Sequence, residues 1–144
     1  DYVEEAVKDA GERAARRGLP VRFRTLNAFD MNRLSPGEYD IILIVGTMHH
    51  FTPGQLAVMM VQTRKSAGAV FVGIDGYRSL PMLIGLPTVH LITFLPDHIH
   101  DAWLTARKFY TLFELDCIAR IAVPDNTFTV IHSFPGLSVI KIED

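Results

Sequence analysis

The sequence predicts an α/β fold: a single domain over residues 1–144 whose sheet is mostly parallel and closes in a C-terminal antiparallel hairpin. Three observations carry that prediction. Two uninterrupted apolar runs, IILIV at 41–45 and AVFVGID at 69–75, have the composition of strands covered on both faces. Between them TPGQLAVMMVQTRKSAG reads as a helix, so the pair forms a βαβ unit, for which a right-handed crossover is expected. At the end of the chain FTVIHSFPGLSVIKI alternates on either side of Pro135 and Gly136, the pattern of a hairpin. With 144 residues and 49% hydrophobic content the chain suffices for one packed core and is short for two.

The elements follow in order. YVEEAVKDAGERAARRG sets Val3, Ala6, Val7, Ala10 and Ala14 on one side at helical spacing, with Gly18 as the stop. LPVRFRTL alternates Val21, Phe23 and Thr25 against Arg22 and Arg24, which predicts a half-exposed edge strand. LSPGEYD is a turn, and IILIV the next strand. The following helix has Thr52 as cap and Pro53 at its first position, and closes with Lys65 and Gly68. Thr111 and Glu114 have capping-box spacing and open a helix that runs to about Ala122. The apolar stretch 80–96 is interrupted by Pro87 and His90 and falls short of the ~20 residues a spanning helix needs.

Charge and cysteine content remove several function classes. A net charge of −2 and a pI near 6.3 give no electrostatic reason for a nucleic acid or an anionic membrane as partner. The local excess RAARR at 13–17 is the solvated side of a helix. One cysteine, Cys117, excludes an intramolecular disulfide framework and a multi-thiolate zinc site. Set among the apolar residues of FELDCIARIA, it reads as a buried inert thiol. With one thiol and no export signal at the start, a cytoplasmic protein is expected.

In a parallel α/β sheet, functional residues lie just beyond the carboxyl ends of the strands. Three such ends are readable: LNAFD, VGTMHHF and IDGYRS. Gly46 lets a ligand approach the backbone, and His49 and His50 then sit at the mouth of a cleft. As metal ligands the two are poor, because adjacent side chains diverge and no third ligand is spaced nearby; no metal is expected. As proton acceptors they have a suitable ordinary pKa, but that alone does not place a base.

The order of VRFRTLNAFDM, EYDIILIVGTMHHFTP, a helix ending in RKSAG, AVFVGID and a final hairpin resembles class I S-adenosylmethionine-dependent methyltransferases, over nearly the whole chain. YDIILIVGTMHHF is the most specific part, similar to that family's fourth strand and the turn that ends it. IDGYRS and TLFEL resemble a subset of the family more weakly. The resemblance implies a Rossmann-like methyltransferase sheet, S-adenosylmethionine as cofactor and a small-molecule methyl acceptor. It puts Asn27 and Ala28 near the adenine, with Asp30 as the rival in a shifted register. Val45, Gly46 and Thr47 would pass beside the methionine portion of the cofactor. His49 and His50 would shape the cleft, contact substrate or serve as base. Asp75 and Arg78 stand where substrate contacts occur in the subset, or form a local ion pair that fixes the turn. No catalytic side chain is assigned, because a sulfonium donor carries the reactivity and the protein mainly aligns the acceptor in a dry pocket.

Residues 80–100, with Met82, Leu83, Ile84, Leu91, Ile92 and Phe94, read as a cap over the pocket or as a subunit interface. The family's first strand with its glycine-rich turn, and the second strand ending in the ribose-binding acid, have no counterpart. Gly11 and Gly18 are isolated in a charged helix, and Asp1 opens that helix. The resemblance therefore implies the C-terminal part of a longer protein, its sheet truncated at the N-terminus. In the family the two missing strands lie between those expected at Val21 and Ile41, so the isolated chain is expected to be unstable, rearranged, or paired with another chain or a second copy. It is also expected to bind S-adenosylhomocysteine weakly or not at all. Two other readings stand beside methyl transfer in the intact protein: a methyltransferase-like domain acting through protein contacts, and another nucleotide-binding α/β domain such as a dehydrogenase fragment.

Overall fold

The structure is a computed structural model that describes residues 3–35, 37–67, 70–93 and 98–143. Asp1, Gly68 and Phe94, each given a part by the sequence, lie outside the described residues.

Local signals set the helices. α1 (Glu4–Arg16) carries acids in its first turn and arginines in its last, as the helix dipole favours, but of its apolar stripe only Ala14 is buried. A short 3₁₀ segment (Ala28–Arg33) follows, capped by Asn27. β1 (Ile41–Val45) leads through a 3₁₀ turn (Met48–His50) into α2 (Pro53–Ala67). Thr52 and Gln55 cap α2 reciprocally: Thr52 N–H donates to Gln55 Oε1 at 2.9 Å, and Gln55 N–H to Thr52 Oγ1 at 3.4 Å. Then come β2 (Val70–Gly76), α3 (Leu80–Ile92), α4 (Ile99–Lys108) and α5 (Leu112–Ala122). α5 opens on the capping box of Thr111 and Glu114, and β3 (Thr127–Ser133) and β4 (Leu137–Glu143) form the terminal hairpin.

The strand order is β1-β2-β4-β3. β1 and β2 are parallel, in register Ile41 to Val70 through Val45 to Ile74. β2 with β4 and β3 with β4 are antiparallel. The expectation of a mostly parallel sheet is thus corrected: β4 returns beside β2, and the described sheet is mostly antiparallel.

α2 and α5 cover one face. Their Leu56, Met60, Leu115, Ile118 and Ala119 pack with Phe71, Ile140, Ile142 and Met48 in one buried cluster. On the opposite face the register aligns Ile41, Leu43 and Val45 with Val70, Val72 and Ile74, and these β1 side chains are 59%, 57% and 58% exposed. β1 is therefore covered on one face, where the sequence predicted two. A run of β-branched residues specifies a strand but not what lies against it.

The edge strand expected at 21–25 does not form. Residues 21–25 are exposed, and Val21 N–H bonds locally to Leu19 C=O at 2.9 Å. Alternation there matches a strand, but a strand exists only when a neighbour takes its N–H and C=O groups, and none of the described residues pairs with it. Among the described residues no helix is long and apolar enough to cross a membrane.

Candidate functional site

The site begins where β1 stops. Gly46 takes φ +62°, a left-handed conformation that costs glycine no Cβ clash, and its N–H donates to Ile74 C=O at 2.8 Å. Thr47 Oγ1 donates back to Val45 C=O at 2.9 Å. Met48 then turns into the core and is fully buried. Gly73 on β2 leaves the room for it, since a Cβ there would sit 2.5 Å from the Met48 sulfur and 2.9 Å from Ile140.

The two histidines differ in burial. The His49 side chain is 8% exposed and lies against Asp75, itself 4% exposed. Asp75 sits on the covered face of β2 with Phe71 and Gly73, so it points beneath the turn. Its carboxylate accepts the His49 backbone N–H at 2.8 Å, the His49 ring at 3.0 Å and the Gly76 N–H at 2.8 Å. A carboxylate has no hydrogen to give, so His49 Nδ1 carries the proton of that bond. The Phe109 ring meets His49 edge to face at 5.1 Å.

His50 turns outward, its ring 4.1 Å from that of His49. Burial, His49 and Lys108 hold its pKa below the ordinary 6.5, and Asp75 offsets them in part. The neutral imidazole therefore persists to lower pH than in a free histidine.

Thr47, His50 and Phe51 form one wall of a hollow of about 830 Å³, and Arg24, Leu26, Asn27, Ala28, Phe29 and Met31 form the other. Such a volume lies within the roughly 300–1,000 Å³ of small-molecule sites. Phe29 and Phe51 meet across it in a T-shaped pair at 5.5 Å. Asn27 caps the 3₁₀ segment by accepting Phe29 N–H at 3.0 Å. Thr63 of α2 donates to the Met31 sulfur at 3.1 Å and ties that wall to the core. Arg24 pairs with Glu38 at 3.5 Å.

Of the residues singled out from sequence, Asn27, Ala28, Thr47 and His50 meet in this hollow, and His49 and Asp75 stand directly behind its wall. Asp30 follows in the same 3₁₀ segment and pairs with Arg33 at 3.6 Å. Val45 lies on the open face of the sheet. Asp75 and Arg78 do not pair with each other: Arg78 forms an ion pair with Glu114 and donates to Arg107 C=O at 3.5 Å. None of the described residues of 80–100 lines the hollow; α3 packs on α4.

Sequence reasoning missed Tyr110. Its hydroxyl donates to Phe51 C=O at 2.6 Å and pins the far end of the histidine turn. Burial and Glu114 raise its pKa against a smaller opposing effect of Arg78, so it remains a donor. Nothing in the local sequence announces a contact 59 residues away. Among the described residues no three His, Cys, Asp or Glu side chains gather as a metal site.

No family model and no curated protein matches this sequence. Solved structures do. A SAM-dependent methyltransferase from Aquifex aeolicus is 16% identical, with a TM-score of 0.65 over 99% of this chain and 65% of its own. The plantazolicin methyltransferase BamL, solved in complex with a triazolic desmethylPZN analog and SAH, is 15% identical, with a TM-score of 0.69 over 99% of this chain and 66% of its own. A protein from Rhodobacter sphaeroides named provisionally as a Zn-dependent alcohol dehydrogenase is 10% identical, with a TM-score of 0.66 over 99% and 73%. This chain spans slightly under two thirds of the first two. At these identities the likeness shows the fold alone: the chain has a class I SAM-dependent methyltransferase-like fold.

Proposed function

We propose, with that fold as the premise, that the hollow holds the adenine end of S-adenosylmethionine and that the protein transfers a methyl group to a small-molecule acceptor. The observation that carries this reading is the meeting of Asn27 and Ala28 with Thr47 and His50 across one hollow at the carboxyl end of β1.

The residues fit the base end of the cofactor. Asn27 Oδ1 uses one lone pair on Phe29 N–H, which leaves a second for an exocyclic amino group. Ala28 supplies the first N–H of a 3₁₀ segment, a donor with no acceptor inside its own turn. Leu26, Phe29, Met31 and Phe51 give the apolar and aromatic walls that a purine requires. None of the described residues lining the hollow is acidic, so the ribose hydroxyls gain no carboxylate partner from them and weak binding is expected.

When bound, the cofactor supplies an electrophilic methyl group on a sulfonium. This chain's residues then orient the acceptor and exclude water. Met48 keeps the turn dry from beneath, while the Asp75 and Tyr110 hydrogen bonds keep it in place.

Calorimetry with S-adenosylhomocysteine tests the reading. Asn27→Asp keeps the cap and adds a charge to the bond with the adenine amino group, so binding should tighten about tenfold. Ala28→Pro is tolerated at a first helical position and deletes the N–H, so binding should weaken by about the same factor. Absence of binding at millimolar ligand, or indifference to both substitutions, would refute it.

A further inference from the structure

α3 (Leu80–Ile92) has no acidic or basic side chain other than His90, and none of its 13 residues is buried. A helix that is apolar all round ordinarily lies inside a protein. Here α4 packs on it, yet Leu80, Ile84, Val89, Leu91 and Ile92 are 69%, 58%, 55%, 62% and 68% exposed. Thr88, the polar side chain exposed among them, turns its hydroxyl back to Ile84 C=O at 2.6 Å. The exposed side therefore offers water almost no hydrogen bond.

The order of residues along that side is the second observation. Pro81, Gly85, Thr88 and Ile92 fall within about 60° of one another around the helix, along the middle of the exposed side. Their spacing of four, three and four residues reads the same from either end. The small Gly85 and Thr88 stand at the centre of this line, and a Cβ added at Gly85 would meet open space. Ile84 and Leu91 flank the line on one side and Val89 on the other. Small residues at the centre let a second helix approach closely there. A copy of α3 laid antiparallel on the line sets Pro81 against Ile92 and Gly85 against Thr88, each pairing occurring twice, with Leu80 against Leu91 beside them.

We propose that α3 is the contact surface of a two-fold dimer, in which α3 of a second copy of this chain packs antiparallel across Gly85 and Thr88. A two-fold contact needs a surface complementary to itself. An apolar line with palindromic spacing has that property, whereas a partner rich in charge would find no counterpart on it. Lipid suits it less well, because helices that lie on a bilayer carry lysines and arginines on their other face, and Leu80–Ile92 has neither. The exposed side presents on the order of 600 Å² per copy, so that two copies bury about the 1,200 Å² at which specific pairs begin. A dissociation constant of about 10 μM is expected for so small a contact. No residue of α3 lines the hollow, so the pairing stands apart from the methyl-transfer reading.

Sedimentation velocity on the full chain, from about 1 to about 100 μM, reads the pairing. Ile84→Glu puts a charge beside the central line at an exposed helical position and should weaken the dimer at least about tenfold, with the far-ultraviolet circular dichroism unchanged. Gly85→Leu adds a better helix former in open space, so it should raise the Tm of the monomer, yet it props the two helices apart and should weaken the dimer by about the same factor. In a Cys117→Ala background, mild oxidation of a mixture of Leu80→Cys and Leu91→Cys copies should cross-link them at least about threefold faster than either variant alone.

A chain that stays monomeric to about 100 μM would overturn the dimer, and if it then sedimented with phosphatidylcholine vesicles the face would belong to lipid. A dimer that survives Ile84→Glu would overturn α3 as the contact; its loss in Leu43→Thr would then place the contact on the open face of β1. Cross-linking as fast in Leu80→Cys alone as in the mixture would rule out the antiparallel arrangement.

Discussion

Asp75→Asn should destabilise the fold by an amount that the hydrogen bonds of Asp75 allow to be worked out. The side chain is 4% exposed, and its two oxygens share three donors. One oxygen accepts Gly76 N–H at 2.8 Å, the other His49 N–H at 2.8 Å, and the His49 ring approaches both at 3.1 and 3.0 Å. An amide has one acceptor oxygen. Whichever way it is turned, its NH₂ group faces a buried backbone N–H that is then left without a partner.

An orphaned buried donor costs about 1–3 kcal/mol, and the bonds that remain lose their charge assistance, so the total is about 2–4 kcal/mol. For a chain of this size that is a fall of roughly 7–13 °C in Tm. Urea denaturation followed by far-ultraviolet circular dichroism would measure it, with the slope m unchanged and the midpoint lowered. The double substitution with His49→Ala should cost clearly less than the two single losses added, because one interaction is then removed twice. A loss below about 0.5 kcal/mol, the range of ordinary surface changes, would show that the carboxylate is neither buried nor engaged as described.

Tyr110→Phe deletes the hydroxyl that holds Phe51 C=O and should cost about 1–2 kcal/mol, with amide exchange rising first at Met48–Phe51. Gly76→Ala should cost about 1–3 kcal/mol, because the added Cβ falls on the Phe109 ring. Gly46→Ala meets open space at φ +62° and should cost about 1 kcal/mol of backbone strain; the reverse order in denaturation would contradict this packing of the site. For Glu114, burial raises the carboxyl pKa, but the Thr111 N–H, Arg78 and the Thr111 hydroxyl together outweigh it and hold it below 4.5. A folded value below the unfolded one stabilises above pH 4.5 and is lost as pH falls through the folded value. Glu114→Gln should therefore flatten the decline of Tm below pH 4.5.

Features encoded within a few residues were legible in the sequence. The Thr52 cap, the capping box at Thr111, the two β-branched runs and the terminal hairpin each follow from residues close together in the chain. What depends on distant partners was not. The alternation at 21–25 matches that of a true strand, and only the presence of a paired neighbour separates the two cases. The sequence left open whether Asp75 and Arg78 pair locally. In the fold Asp75 is on the covered face and goes to His49, whereas Arg78 lies past the strand and goes to Glu114. Strand parity alone could have placed Asp75 inside, since Phe71 and Gly73 share its face. Tyr110 offered no such signal.

The two walls of the hollow differ in how firmly they are held, and the difference bears on what each can do. The turn from Thr47 to Phe51 is fixed at both ends and beneath: by Gly46 on Ile74, by Asp75 on His49, by Tyr110 on Phe51, and by Met48 seated in the core. The wall from Arg24 to Met31 rises from an exposed segment that has no sheet partner among the described residues, and it is held by the packing of its 3₁₀ segment on α2, the Asn27 cap and the Thr63–Met31 contact. Chemistry at a reacting atom tolerates displacements of less than an ångström, whereas recognition of a flat base by one amide and one carbonyl tolerates more. The rigid wall is the one that carries His50, and the looser one carries Asn27 and Ala28. That division suits nucleotide capture on the second, because a wall that adjusts can close on its ligand while the other keeps its shape.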